Sequence, residues 1–294
     1  MPGGLALLAA LLSASLVGAP PAEASAAAGN LPSLVTYELA ESTRSVTPAG
    51  ERTVSVGGAV VARGGDARWN LTHGTFPRSR ATSVVTGRDG LVLLDGEEKV
   101  AARATASDFA DLFQGRPSDP GSAAPAVREV SAVLLRDGAG RPFQDRPTAR
   151  FRLEAVWTVV LSSPGRITRV KTEATGIVES VAMTEAQSPL DALLRLLSAR
   201  GAAREALEAE LAKVTGLPVF VEISVTSTSS TEAPGIPSGT EPPPKALTSH
   251  STVTRRVRNL ATRPGARGDE ALVAVPEDFR ARGLDRLLVG RSMP

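Results

Sequence analysis

The sequence predicts a mainly β, α+β fold: a strongly curved antiparallel sheet with helices lying across its concave face. Three observations lead there. Residues 81–102 write strand, turn, strand, turn, strand in compact form. Residues 149–161 and 166–178 form a long hairpin with one apolar and one polar side, as in an antiparallel sheet that curls around something. Residues 190–214 carry a leucine stripe at helical spacing, placed in the chain to lie over that sheet.

The N-terminus comes first. Leu5 to Val17 is an apolar run of Leu, Ala, Ser and Val, shorter than the about twenty residues a spanning helix needs. Pro20-Pro21 breaks it, and Ala22-Glu23-Ala24 supplies a small-x-small cleavage pattern. Residues 1–26 are therefore expected to be a cleaved secretory leader, cut after Ala24 or Ala26, with no stable membrane span left behind. The n-region, Met1-Pro2-Gly3-Gly4, carries no Lys or Arg, which fits a start lying upstream. Residues 27–294 are expected to form a single domain.

Composition narrows the functional classes. At 294 residues the chain can bury a sizeable core, and one large β domain suits the mature length. A net charge of +2 with scattered arginines gives no basic stripe for nucleic acid. Cysteine is absent, which excludes disulfides, Cys zinc sites, iron–sulfur clusters and thiol nucleophiles. With aromatics at 3%, aliphatic packing must hold the core, and stacking platforms for bases are poorly supplied.

The mature chain opens with a strand at 34–39, turns at Pro48-Ala49-Gly50 and returns at 53–62, where Val54 and Val56 share a face. Gly57-Gly58 inside that strand predicts a bulge, a bend or a close backbone approach. Gly64-Gly65-Asp66 turns the chain into a strand at 67–71, ahead of the meander. Asn70-Leu71-Thr72 matches a glycosylation sequon, a pattern short enough to arise by chance. Ser107 caps a short helix through Phe113, expected as a plug or lid over sheet edges, and residues 116–125 read as an exposed loop. Residues 127–135 are apolar enough for another strand.

In the long hairpin, Phe151, Leu153, Ala155, Trp157, Val159 and Leu161 share one face, as do Val170, Thr172, Ala174, Gly176 and Val178 of its return strand. Ser188-Pro189-Leu190-Asp191 starts a helix whose inner stripe is Leu190, Leu193, Leu194 and Leu197; Gly201 stops or kinks it. The helix resumes over 202–214 with Leu207, Leu211 and Val214, and Gly216 closes it. Val219, Val221, Ile223 and Val225 alternate along the next strand. Residues 229–246 are expected to be a disordered loop at a hairpin tip, and 249–262 the return strand. Residues 272–279 give a last edge strand and a turn, and 280–290 a terminal helix.

Taken together, five features resemble a family of exported bacterial proteins of unknown function. They are Gly65-Asp66-Ala67-Arg68-Trp69, the 82–102 meander, the hairpin around Trp157, a helix ending in Gly216-Leu217-Pro218-Val219, and the closing 273–279 segment. That family is similar in architecture to the periplasmic lipoprotein carriers of the lipoprotein-localisation system. The resemblance implies an incomplete barrel, a half-barrel whose hollow side is covered by helices. It also implies cargo, because carriers of this type hold acyl chains in the hollow. A lipid or other hydrophobic ligand is the expected partner, lined on the concave face by Leu153, Trp157, Leu193, Leu197, Val221 and Ile223.

Enzymatic readings find little support. The two histidines are His73, before Gly74 in a loop, and His250, at a strand start. Ser249 and His250 are neighbours on a strand and point to opposite faces, and no G-x-S-x-G elbow is present. Asp66, Asp89, Asp95, Glu97 and Glu98 are turn acids without calcium-loop spacing. Gly87-Arg88-Asp89-Gly90 is a hairpin turn, not a phosphate loop, since no helix follows it. No catalytic residue, metal or cofactor is expected. Two classes remain: an exported carrier sheltering an apolar ligand, or a structural or interaction module of the cell envelope with a filled core and a protein partner. Either is expected in a periplasm, on a cell wall or outside the cell.

Overall fold

The computed structural model describes residues 31–74, 79–87, 90–104, 125–163, 165–183, 199, 201–232 and 246–287. Within them the period-two alternation becomes strands. β1 (Leu34–Thr47), β2 (Gly50–Arg63) and β3 (Asp66–His73) lead into the meander of β4 (Ser83–Gly87), β5 (Gly90–Asp95) and β6 (Val100–Ala104). β7 (Ala126–Ala139), β8 (Thr148–Ser163) and β9 (Arg166–Val181) follow. Helix α1 (Gly201–Leu211) then precedes β10 (Leu217–Glu232) and β11 (Leu247–Arg263). The described chain ends with a one-turn helix α2 (Glu270–Val273), β12 (Arg280–Ala281) and a 3-10 turn at Leu284–Arg286. Everything described from Pro32 onward belongs to one compact unit.

All the strands join one sheet in the order β12-β6-β5-β4-β3-β2-β1-β11-β10-β9-β8-β7. Every described neighbour pair is antiparallel except β12 and β6, which run parallel. The sheet is not closed into a barrel, since it ends at β12 on one side and β7 on the other. Next to its middle, the β1–β11 pairing runs from Leu34 opposite Arg263 to Val46 opposite His250 and so stitches the two halves of the chain together.

Side chains directly opposite one another on neighbouring strands share a face, so the registers define lateral rows. One row runs Tyr37, Val60, Trp69, Val84, Leu93, Ala102 across β1 to β6. All of these are buried, and they form a single apolar cluster with Val35, Leu39 and Val257. On the other half of the same face, Leu134, Leu153, Gly176, Ile223 and Val253 form the matching row across β7 to β11. There a second cluster gathers Phe151, Trp157, Val178 and Val221. Helix α1 contributes Ala203, Leu207 and Leu211, spaced four apart on one side, and Val214 beyond its end to that second cluster. Burying Leu207 and Leu211 stabilises the packing by roughly 2 kcal/mol each.

The predicted irregularity at Gly57-Gly58 is present. The β2–β3 register shifts there, and a Cβ on Gly58 would lie 1.9 Å from the Asn70 carbonyl oxygen. Only a glycine lets the two backbones come this close.

Both sheet edges are protected. The Glu210 carboxylate of α1 accepts a hydrogen bond from the Leu134 N–H of β7 at 2.7 Å. At the other end, Arg280 and Arg282 donate their backbone N–H groups to the carbonyls of Lys99, just before β6, and Ala101 within it. The closing segment wraps that edge: Val275 and Phe279 pack on Val85, Val92, Leu94 and Ala101 on one face, while Leu287 joins the Tyr37 row's cluster on the other. Covering an edge in this way removes a template for pairing with another chain.

Several expectations are corrected. Ser229 to Glu232, expected in the loop at 229–246, belong to β10, opposite Ile167 to Val170. The Ser/Thr-rich composition that suggested a loop here builds cross-strand hydroxyl pairs, Thr168–Thr231 and Thr172–Ser227, at 3.2 and 3.1 Å. Residues 272–279 are not an edge strand. Glu270–Val273 forms a helical turn after Asp269, whose carboxylate accepts from Arg263 and the Ala266 N–H, and the edge strand is Arg280–Ala281. Of the terminal helix expected at 280–290, the described residues 280–287 form β12 and a 3-10 turn instead, because the Arg280 and Arg282 N–H groups are spent on the β6 edge. His73 lies at the end of β3, not in a loop. Gly201 opens α1 with a φ of 49°, in the left-handed region, and the helix expected before it lies outside the described residues. The leader, the Ser107–Phe113 helix, the helix start at Ser188 and residues 233–245 lie outside the described residues.

Candidate functional site

Four of the six residues named from the sequence come together. Leu153, Trp157, Val221 and Ile223 are at most 2% exposed and belong to one cluster. Leu153 stands opposite Gly176, which stands opposite Ile223. The missing side chain at Gly176 is used by its neighbour, since a Cβ there would lie 2.6 Å from Ile223 Cγ1 and 2.5 Å from the Glu222 carbonyl oxygen. Leu193 and Leu197 lie outside the described residues. Leu207 and Leu211 of α1 belong to the same cluster.

The structure adds three residues that periodicity did not single out. One step along the sheet from the Leu153 row, the row runs Phe151, Val178, Val221, Arg255, Glu41, Val56. Arg255 is fully buried and Glu41 is 9% exposed. Arg255 donates from Nε and Nη2 to Glu41 Oε2 at 3.1 and 3.0 Å. An ion pair therefore sits on the apolar face, with Val253 and Val257 on either side of Arg255 along β11 and Leu39 beside Glu41 on β1.

Tyr37, two positions from Leu39 on the same face, completes the group. Its hydroxyl is buried and has no hydrogen-bond partner among the described residues. Burial pushes its ionisation up to about 12, and the positive charge of Arg255 pulls weakly the other way. The phenol is thus neutral at any physiological pH and carries a proton to donate. Chemically the face offers a hydrogen-bond donor at Tyr37 and, four positions along β1 at Glu41, an ion pair in aliphatic surroundings. That arrangement can orient the polar end of an otherwise apolar molecule.

No family model and no curated protein matches the chain. Among solved structures, the crystal structure of Neisserial surface protein A is similar over 76% of this chain and 96% of that one, at 6% identity and a TM-score of 0.11. So slight a likeness carries no argument about fold or activity.

Among the described residues no helix is long and apolar enough to cross a membrane. No group of three or more His, Asp or Glu is gathered there to hold a metal ion. The described histidines are bonded to hydroxyls: Thr72 Oγ1 lies 3.4 Å from His73 Nδ1, and Thr226 Oγ1 lies 3.1 Å from His250 Nδ1.

Proposed function

We propose that this is an exported, non-enzymatic binding protein that shelters a lipid or other hydrophobic ligand against the apolar face of its sheet. In this reading the sheet curls into a half-open barrel, and α1, with the leucine stripe that precedes it in sequence, lies across the concave side. One observation carries the proposal. An aliphatic face that extends over eleven strands, β1 to β11, is interrupted by Arg255, Glu41 and the Tyr37 hydroxyl, which has no hydrogen-bond partner among the described residues. A buried ion pair adds little to stability compared with apolar side chains of the same volume, and an unpaired buried hydroxyl costs about 1–3 kcal/mol. A polar spot within an apolar lining is what a ligand site requires.

A second reading is a structural or protein-interaction module of the envelope with a filled core. It is favoured by the burial of Leu207 and Leu211 in the same apolar cluster as Leu153, Trp157, Val221 and Ile223, all at most 2% exposed. Organic extraction of the purified protein followed by mass spectrometry, together with uptake of a fluorescent fatty acid, separates the two. The binding reading expects a co-purifying amphiphile or saturable uptake that weakens in Tyr37→Phe. Neither amphiphile nor uptake would leave the structural reading standing alone.

A further inference from the structure

On the opposite face of the sheet, the row next to the buried ion pair runs Arg150, Glu179, Phe220, Arg256, Ala40 across β8, β9, β10, β11 and β1. Arg258 follows two residues along β11. Arg141, from the segment after β7, reaches over this row. Together Arg141, Phe143, Glu179, Phe220, Arg256 and Arg258 line most of a groove of about 320 Å³. We propose that this groove is an oxyanion site that takes a phosphate group, on a soluble phosphate or a lipid headgroup; the site is distinct from the apolar face and independent of any ligand there.

The charges do not balance. Three guanidiniums face one carboxylate, and that carboxylate is already engaged: Glu179, 4% exposed, accepts from Arg141 Nε at 3.2 and 3.4 Å and from the Arg141 N–H at 3.5 Å. Arg256 and Arg258 form no ion pair with any described residue, although Glu38 stands opposite Arg258 on β1. A concave surface with unmatched positive charge concentrates its field and draws anions in.

The geometry of the cations is also fixed. The Arg141 guanidinium lies 4.4 Å from the centre of the Phe220 ring, and that of Arg256 lies 5.6 Å from it. Such contacts restrain each guanidinium; Arg141 keeps its Nη groups for a further acceptor while its Nε is bonded to Glu179. The Arg141 backbone is held as well, since its carbonyl accepts from Thr148 Oγ1 at 2.8 Å. Two arginines gathered on one ring repel each other, and an anion between their donor edges relieves that repulsion. Bidentate guanidinium forks match phosphate oxygens in spacing and charge.

Isothermal titration of the full chain with inorganic phosphate, and co-sedimentation with phosphatidylglycerol vesicles against phosphatidylcholine vesicles, test the proposal. Binding is expected in at least one arm and should weaken steeply with added chloride. Arg256→Gln should weaken it about tenfold or more, the loss of a charge-assisted bond. Arg256→Lys, which keeps the charge, should lose only part of it. Arg44→Gln, at an exposed pair with Glu51 elsewhere on the sheet, is the control and should bind like the unmodified protein. Phosphate binding alone assigns a soluble ligand; selective vesicle binding alone assigns a headgroup. No binding in either arm, or binding unchanged in a folded Arg256→Gln/Arg258→Gln variant, overturns the site.

Discussion

The single tyrosine of the chain makes the buried polar group open to direct titration. Tyr37 is pushed from an ordinary 10.0 to about 12, first by burial and with Arg255 opposing. Two pH units correspond to roughly 3 kcal/mol of difference between the neutral and ionised phenol in the folded state. The sign follows from which state binds its proton more tightly. The folded protein does, so this contribution to stability is fully present below about pH 10, where the phenol is neutral in both states. It is lost as the pH rises through about 12.

The assay is near-ultraviolet phenolate absorbance after a rapid jump to alkaline pH. In denaturant the phenolate should appear with a midpoint near 10, at once. In the native protein at about pH 11 the dead-time signal should be nearly absent, and phenolate should grow only as fast as circular dichroism reports unfolding. Arg255→Met should raise the native midpoint further, because the charge that lowers it is gone. Immediate ionisation of the native protein with a midpoint near 10 would show that Tyr37 meets water, and the closed apolar face around it would then be wrong.

Two further outcomes follow from the same face. Arg255→Met alone strands Glu41 without its partner and should cost about 3–5 kcal/mol in urea unfolding, whereas the double change Glu41→Leu/Arg255→Met should recover most of that loss; non-recovery would mean the pair is not an isolated electrostatic unit. Gly58→Ala should destabilise by more than about 2 kcal/mol, since its Cβ meets the Asn70 carbonyl, while Gly138→Ala, with positive φ but open space around it, should cost only about 1 kcal/mol. Equal losses at the two glycines would remove the close β2–β3 approach.

Individual strands were legible because their signal is local. The alternation of Phe151, Leu153, Ala155 and Trp157 with Arg152, Glu154 and Val156 needs no knowledge of the neighbours, and the turn glycines mark where each run ends. Strand order was not legible in the same way. Nothing in residues 34–47 says that their partner lies at 247–263, because that pairing is specified only when both strands find the same apolar face. The same non-locality explains the errors near the C-terminus. Arg280–Ala281 is a strand because the β6 edge offers the Lys99 and Ala101 carbonyls to the Arg280 and Arg282 N–H groups, a fact held by residues about 180 positions upstream.

The polar group on the apolar face was hidden for a related reason. Glu41 and Arg255 are 214 positions apart, and each read alone is a charged residue in a polar stretch. Arg255 and Arg256 are adjacent, yet one is fully buried and the other exposed. Parity decides between them: Val253 and Val257 are buried, so the position midway must share their face, and Arg256 must take the other. The same test applied to β1 puts Glu41 with Val35, Tyr37 and Leu39. A charged residue held in the parity of buried valines is therefore a signal that sequence alone can supply, and in this chain it separates the ion pair on one face from the arginine groove on the other.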